Sequence, residues 1–104
     1  MKTTVFILLS AVFFNANACS IAGAKVIEVF QWESGNIFIK LDRNSSCPCE
    51  FPNRFGFSKK DDEKFFITAA LTAMTTGASI YAAGDAACSV HGNTARLTRF
   101  SIRK

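Results

Sequence analysis

Apolar and polar positions alternate in the first part of the chain in the way that β-strands require. Residues 24–32 are rich in β-branched and aromatic side chains, and residues 37–42 alternate strictly between apolar and mostly polar positions. The intervening Glu-Ser-Gly-Asn, residues 33–36, is typical of a turn. These segments predict a hairpin, with one face of its second strand formed by Ile37, Ile39 and Leu41.

A third short strand is predicted at residues 54–58, with Phe55 and Phe57 on one side. The period then becomes helical. Asp61, Asp62 and Glu63 fall in the predicted first turn, where the helix dipole favours negative charge. Gly77 suits the left-handed position after a helix end. We expect the apolar stripe of this helix to pack in the core; it consists of Phe66, Ile67, Ala70, Leu71, Ala73 and Met74.

Residues 78–83 resume a strand pattern, residues 84–93 are predicted to form a loop, and residues 95–104 close the chain as a last strand. The order is three strands, one helix and two strands. This order predicts an α+β, mainly β domain, namely a small, partly open five-stranded barrel of the OB type with one helix at the barrel end. A generic α+β sheet with one covering helix is the alternative.

The N-terminal segment, residues 1–18, has the features of a secretory signal peptide. Lys2 precedes an apolar run, and Ala16 and Ala18 fit the small-residue cleavage rule. The run is about half as long as a membrane-spanning helix, so we expect no membrane span. Cleavage would leave one domain, residues 19–104, secreted or periplasmic. Cys19 would then be N-terminal, as in a lipoprotein, but Ala16 stands where a lipobox usually has leucine.

Charge argues against a nucleic-acid partner. The chain has 12 basic and 8 acidic residues, a formal net charge of +4. A nucleic-acid-binding protein usually has a denser basic stripe. A late basic cluster offers a contact for an anionic partner, with a solvated strand face as the alternative; it consists of Arg96, Arg99, Arg103 and Lys104.

The four cysteines are expected to form disulfides, because small domains in oxidising compartments often need them. A bridge between Cys47 and Cys49 would close a very tight ring across Pro48. Two pairings remain. We favour Cys49–Cys88 with Cys19–Cys47, because the first bridge would join the two ends of the segment that contains the predicted helix.

The sequence gives no signature of catalysis or of metal binding. A zinc site usually has two cysteine pairs or added histidines, and a thiol redox centre usually has Cys-x-x-Cys. The Ser-Cys-Pro-Cys-Glu segment fits neither pattern. His91 is the only histidine, and we interpret it as an exposed loop residue. We therefore expect a protein without catalytic residues, metal or cofactor.

Binding is the better functional class. Trp32 and Tyr81 combine a large aromatic ring with a polar group, as anchors of ligands and partners often do. Core packing or a position at a sheet edge is the alternative for both. Together with Arg96 and Arg99, they are the candidate binding residues.

The segment from Cys49 onward resembles a family of small secreted proteins of Gram-negative bacteria, most of which have no assigned activity. The matching features are a cysteine, a helix ending in Ala-x-x-x-Gly, a strand ending in tyrosine and a second cysteine, here Cys49, Ala73, Gly77, Tyr81 and Cys88. The same layout, with its Thr-Gly helix end before a strand, resembles the OB-fold B subunits of subtilase-cytotoxin-type A-B toxins.

The toxin resemblance implies a ring-forming homo-oligomer that binds a host glycan or receptor, with a catalytic A subunit as a further partner. The most concrete prediction is therefore a non-enzymatic, toxin-B-subunit-like binder of a carbohydrate or a protein receptor. The alternative is a monomeric periplasmic protein-interaction or inhibitor module.

Overall fold

The structure, a computed structural model, describes residues 18–58 and 63–104. The predicted signal segment lies outside the described residues, except for Ala18. The described part is mainly β, with six strands and one helix. In chain order these are β1 (Ala18–Ala24), β2 (Val26–Gln31), β3 (Ile37–Leu41), β4 (Arg54–Phe57), α1 (Glu63–Thr76), β5 (Ser79–Val90) and β6 (Thr94–Arg103).

All described strands belong to one sheet, in the order β1-β5-β6-β4-β3-β2. Neighbours are antiparallel except β4 and β6, which run parallel. The two edge strands, β1 and β2, are separated in sequence only by Lys25. Lys25 and Asp42 are tied by two hydrogen bonds of 3.0 Å, one from each backbone N–H. Because consecutive residues cannot lie far apart, the sheet must curl until its edges meet at Lys25.

The concave face of this curled sheet carries the core. Ile37, Ile39 and Leu41 are buried, as the alternation predicts, and so are Phe55 and Phe57. These residues share the core face because successive side chains of a strand point to opposite sides of a sheet. The core is completed by residues of β5, β6 and α1, among them Ile80, Ala82, Leu97, Phe100, Phe66, Ala70 and Ala73.

The helix ends as predicted. Gly77 has a φ of 72°, and its N–H donates to the carbonyl of Ala73 at 2.9 Å. The expected core stripe is only partly right, because Leu71 and Met74 are exposed while the small alanines face the sheet. Small residues allow the helix to lie close to the sheet, and the larger side chains on the flank of the helix then face solvent. Asp61 and Asp62, which are predicted in the first turn together with Glu63, lie outside the described residues, whereas Glu63 is the first residue of α1.

Two strand predictions need correction. The predicted barrel has five strands, but residues 18–24 form an additional strand, β1, which pairs with β5 despite a small-residue sequence with weak β propensity. The predicted loop at 84–93 is largely strand, since β5 extends to Val90. The register between β5 and β6 shifts after Asp85, where β5 contains extra residues. One of these, Cys88, has a φ of 56°. A two-residue turn at His91 and Gly92 then leads into β6, with both residues at positive φ.

The disulfides are Cys19–Cys47 and Cys49–Cys88, which is the pairing that the sequence favours. Both attach the long loop between β3 and β4, the first to β1 and the second to the irregular part of β5. The bridges close segments with sequence separations of 28 and 39 residues. A native disulfide in a domain of this size contributes about 2–5 kcal/mol. The Ser-Cys-Pro-Cys-Glu segment is therefore a structural anchor.

Candidate functional site

An aromatic cluster covers the convex face of β2 and β3. Phe30 lies opposite Phe38 in the strand register, and their rings stack with centroids 5.2 Å apart. Phe38 is only 2% exposed, although it points away from the core side of β3. Groups other than the core must therefore cover it, and these groups define the site.

The turn between β2 and β3 places Trp32 at the edge of this cluster. The N–H of Gly35 donates to the carbonyl of Trp32, and the N–H of Trp32 donates to the carbonyl of Asn36. Gly35 has a φ of 95°, a conformation that favours glycine, so the predicted turn closes tightly behind Trp32. The Trp32 side chain is 51% exposed and meets the ring of Phe30 edge to face at 6.4 Å.

The turn between β5 and β6 places His91 against the same cluster. Its ring meets Trp32 edge to face at 6.2 Å and Phe38 at 6.4 Å. His91 has a φ of 60°. Left-handed backbone costs a non-glycine residue about 1–2 kcal/mol, and such residues cluster at functional sites. The strained turn thus presents an imidazole to the exposed tryptophan.

Gly56 allows the β5–β6 turn to approach this closely. A Cβ atom at residue 56 would lie 2.8 Å from Cγ1 of Val90 and 3.3 Å from the ring of Phe38. A side chain at residue 56 would therefore clash with Val90, and glycine leaves the space that Val90 needs. The close approach brings the β5–β6 turn and the β2–β3 turn to one side of the sheet.

Arg54 is the main polar group of the site. Its guanidinium lies between two rings, 4.6 Å from the centroid of Phe38 and 4.1 Å from that of Phe51. Its Nε–H donates to Oγ1 of Thr94 at 2.9 Å, and Nη2 donates to Oδ1 of Asn93 at 3.1 Å. Thr94, which is fully buried, also donates to Asn93 at 2.8 Å. This network fixes the orientation of the guanidinium.

Burial lowers the pKa of Arg54, and the nearby Glu50 carboxylate acts in the opposite direction. An arginine keeps its proton under physiological conditions even when its pKa is lowered. Arg54 is thus a partly desolvated cation. Guanidinium has five N–H donors, and two of them are used in the bonds to Asn93 and Thr94. Among residues 18–58 and 63–104, no other hydrogen bond of this guanidinium is found.

The disulfide-anchored loop supplies the outer wall. The N–H of Phe51 donates to the carbonyl of Asn93 at 3.2 Å, and the N–H of Arg54 donates to the carbonyl of Phe51 at 3.3 Å. Cys49, two residues before Phe51, is bonded to Cys88. The bridge holds Phe51 where it covers the guanidinium of Arg54.

These residues enclose two adjoining hollows, of about 500 Å³ and about 200 Å³, which share four lining residues. We call the pair the Trp32 cleft. Its aromatic surfaces come from Phe30, Trp32 and Phe51. Polar groups lie among them, and both hydrogen-bond donors and acceptors are present: Glu28, Gln31, Lys40, Asn53, Arg54, His91 and Asn93. The cleft can therefore hold the apolar face of a ligand and bond to its polar edge.

The four predicted binding residues do not lie together. Trp32 lines the Trp32 cleft, whereas Tyr81 and Arg99 line a separate groove beside α1. Arg96 lines neither and lies opposite Asp85 in the strand register. Sequence reasoning missed Phe51, Arg54 and Asn93. His91 is exposed in a turn, as predicted, but its ring contacts with Trp32 and Phe38 were not expected. The His-Gly pair between two strands is the one local signal that indicates a tight turn at His91.

The described residues offer little for covalent or metal chemistry. All four cysteines are in disulfides. Across residues 18–58 and 63–104, no group of three or more His, Cys, Asp or Glu side chains is placed to hold a metal ion. Within the same ranges, no helix is both long and apolar enough to cross a bilayer.

Comparisons with protein-family models, with curated proteins and with solved structures give no match. Membership of the secreted family and similarity to toxin B subunits remain predictions, and the geometry of the cleft is the observation that indicates a function.

Proposed function

We propose that this protein is a secreted or periplasmic, non-enzymatic binding protein whose Trp32 cleft binds a saccharide. One observation carries the proposal. A half-exposed tryptophan stands beside an arginine held between two phenylalanine rings, in a concave site of about 500 Å³. Ligand sites are usually hollows of this size that combine apolar surface with a few fixed polar groups.

The strand order supports an OB-type barrel as part of the same proposal. If β1 and β2 are the two halves of one bent strand, the order becomes a closed circuit in which the bent strand pairs with both β5 and β3. OB-folds bind oligosaccharides and oligonucleotides on one sheet face and on two adjacent loops. The Trp32 cleft occupies a sheet face between the β2–β3 turn and the β5–β6 turn.

The lining favours a saccharide over a nucleic acid. A single-stranded nucleic acid needs a cationic groove along its backbone. Here Glu28 lies opposite Lys40 in the strand register, and Gln31 and Asn53 lie nearby. Such mixed donors and acceptors suit hydroxyl groups, which both donate and accept. The aromatic rings suit the apolar C–H face of a sugar ring.

The finer prediction is a toxin-B-subunit-like binder of a host glycan or receptor, with a ring-shaped homo-oligomer and a catalytic subunit as partners. Two disulfides in so small a domain are consistent with an extracellular or periplasmic location. The alternative, a monomeric protein-interaction or inhibitor module, would use the same aromatic and arginine groups as anchors for a protein.

A glycan array tests the proposal. The full chain is expressed with its own N-terminal segment, purified from the compartment that receives it, and compared with Trp32→Ala and Phe65→Ala. The two side chains are matched, with exposures of 51% and 52%, but Phe65 lies outside the cleft. We expect glycan binding that Trp32→Ala abolishes and Phe65→Ala retains. Equal loss in both variants, or no glycan binding by the native chain, would refute the saccharide proposal.

A further inference from the structure

A second groove lies between the start of α1 and the last part of β6. It consists of two adjoining hollows of about 370 Å³ each, which share Phe65, Phe100 and Ser101. We call it the helix groove. Its lining residues are entirely different from those of the Trp32 cleft. Its two ends also differ chemically from each other.

One end is cationic. Tyr81 lies opposite Ser101 in the register of β5 and β6, and Arg99 and Arg103 are the positions two residues to either side of Ser101. Both guanidinium groups therefore reach the Tyr81 ring, at 5.7 Å and 4.8 Å from its centroid. Among the described residues that line the groove, none is acidic. Arg99 lines the groove, and Arg103 lies outside its lining but against the same Tyr81 ring. An anion in the groove can therefore contact Arg99 and lies close to the charge of Arg103.

The other end is apolar. Phe65 is 52% exposed and Ile102 is 40% exposed. Between them the floor is formed by small side chains of α1, namely Thr68, Ala69 and Thr72. Removing exposed apolar area from water is favourable, so a ligand that covers these residues gains affinity. A purely ionic ligand, such as free phosphate, would leave this end uncovered.

We propose that the helix groove binds an amphipathic carboxylate of the fatty-acid class. The carboxylate would pair with Arg99, because guanidinium groups match carboxylates in geometry and charge, and the nearby charge of Arg103 would add attraction. The alkyl chain would extend over Phe65 toward Ile102. This activity goes beyond saccharide binding, because it uses a different groove and a ligand of different chemistry.

The test is calorimetric titration of the full, disulfide-bonded chain with dodecanoate, below the concentration at which it forms micelles. Hydrogen bonds that involve a charged group are among the stronger ones, so Arg99→Gln with Arg103→Gln should weaken binding about tenfold or more. Phe65→Ser should also weaken it. Dodecanol, which has the same chain without the charge, should bind about tenfold more weakly. The control with equal net charge, Lys25→Gln with Arg43→Gln, should bind like the native chain.

Several results would overturn this assignment. One is equal affinity for dodecanoate and dodecanol, and another is no effect of the double arginine variant. Binding to vesicles of anionic phospholipid without binding to monomeric dodecanoate would assign the groove to a membrane surface. A native dimer that Phe65→Ser dissociates, with no dodecanoate binding, would assign it to a second copy of the chain. Trp32→Ala should leave dodecanoate binding unchanged, so this test is independent of the saccharide proposal.

Discussion

Arg54→Lys is the most informative single substitution, because lysine keeps the positive charge but lacks the planar guanidinium with its several N–H donors. The native guanidinium makes two hydrogen bonds, of 2.9 and 3.1 Å, and lies between two rings. A lysine ammonium can replace one of these bonds and is a poorer partner between rings. Loss of one charge-assisted bond costs about 1.5–3 kcal/mol.

The structure also limits the size of this effect. Thr94 keeps its hydrogen bond to Asn93 after the substitution, so no buried hydroxyl loses its only partner. The lowered pKa of Arg54 means that burial of the charge already opposes folding, and lysine retains that penalty. We therefore expect a loss of about 2 kcal/mol in the free energy of unfolding.

Thermal unfolding followed by circular dichroism measures this loss. For a domain of this size, about 2 kcal/mol corresponds to a fall of about 8–16 °C in Tm. Arg43→Lys is the matched control, because the Arg43 side chain is 57% exposed and lysine can replace its hydrogen bond to the carbonyl of Gly23 and its ion pair with Asp42. We expect this variant to stay within about 0.5 kcal/mol of the native chain. An Arg54→Lys variant with native Tm and native glycan binding would refute the argument that the guanidinium organises the cleft.

Three further predictions follow from the same geometry. His91→Asn should lower the free energy of unfolding by about 0.5–1.5 kcal/mol, because it removes the ring contacts with Trp32 and Phe38 but asparagine tolerates left-handed backbone. His91→Val should lose about 1–2 kcal/mol more, and equal urea midpoints for the two variants would contradict a left-handed backbone at residue 91. Gly56→Ala should destabilise by about 1–3 kcal/mol, and Val90→Ala should relieve part of that loss in a double-mutant cycle; simple additivity would show that the two residues do not clash. Replacing Cys49 and Cys88 together by serine should lower the free energy of unfolding by about 2–5 kcal/mol in urea titrations. It should also weaken glycan binding, because Phe51 is then less firmly held, and unchanged glycan binding would show that the loop is not part of the site.

Much of the fold follows from local patterns in the sequence. The alternation of Ile37, Ile39 and Leu41 predicts the core face of β3, and Gly77 marks the helix end because only a residue tolerant of positive φ fits there. The strand β1 and the long β5 do not follow in this way. Their small and turn-forming residues have weak propensities, and it is pairing between distant segments that makes them strands.

The cleft is less predictable than the fold for the same reason. Trp32 stands out by residue type alone. Phe51 and Arg54 lie in one turn, but Asn93 belongs to the distant turn between β5 and β6. Hydrogen bonds across this distance, the disulfide at Cys49 and the close approach at Gly56 bring the three together. Neither single-residue chemistry nor periodicity encodes such a juxtaposition, so the sequence names one residue of the site and not its partners.

Trp32 is the only tryptophan of the chain, and its intrinsic fluorescence tests the central claim most directly. The native, disulfide-bonded protein is titrated with the oligosaccharides that bind on the array, while the emission spectrum and its quenching by acrylamide are followed. Our account predicts a blue shift and reduced quenching that saturate together with binding, because the sugar covers the exposed half of the indole. Saturable glycan binding with an unchanged emission spectrum and unchanged quenching would show that the sugar binds elsewhere and would contradict the account.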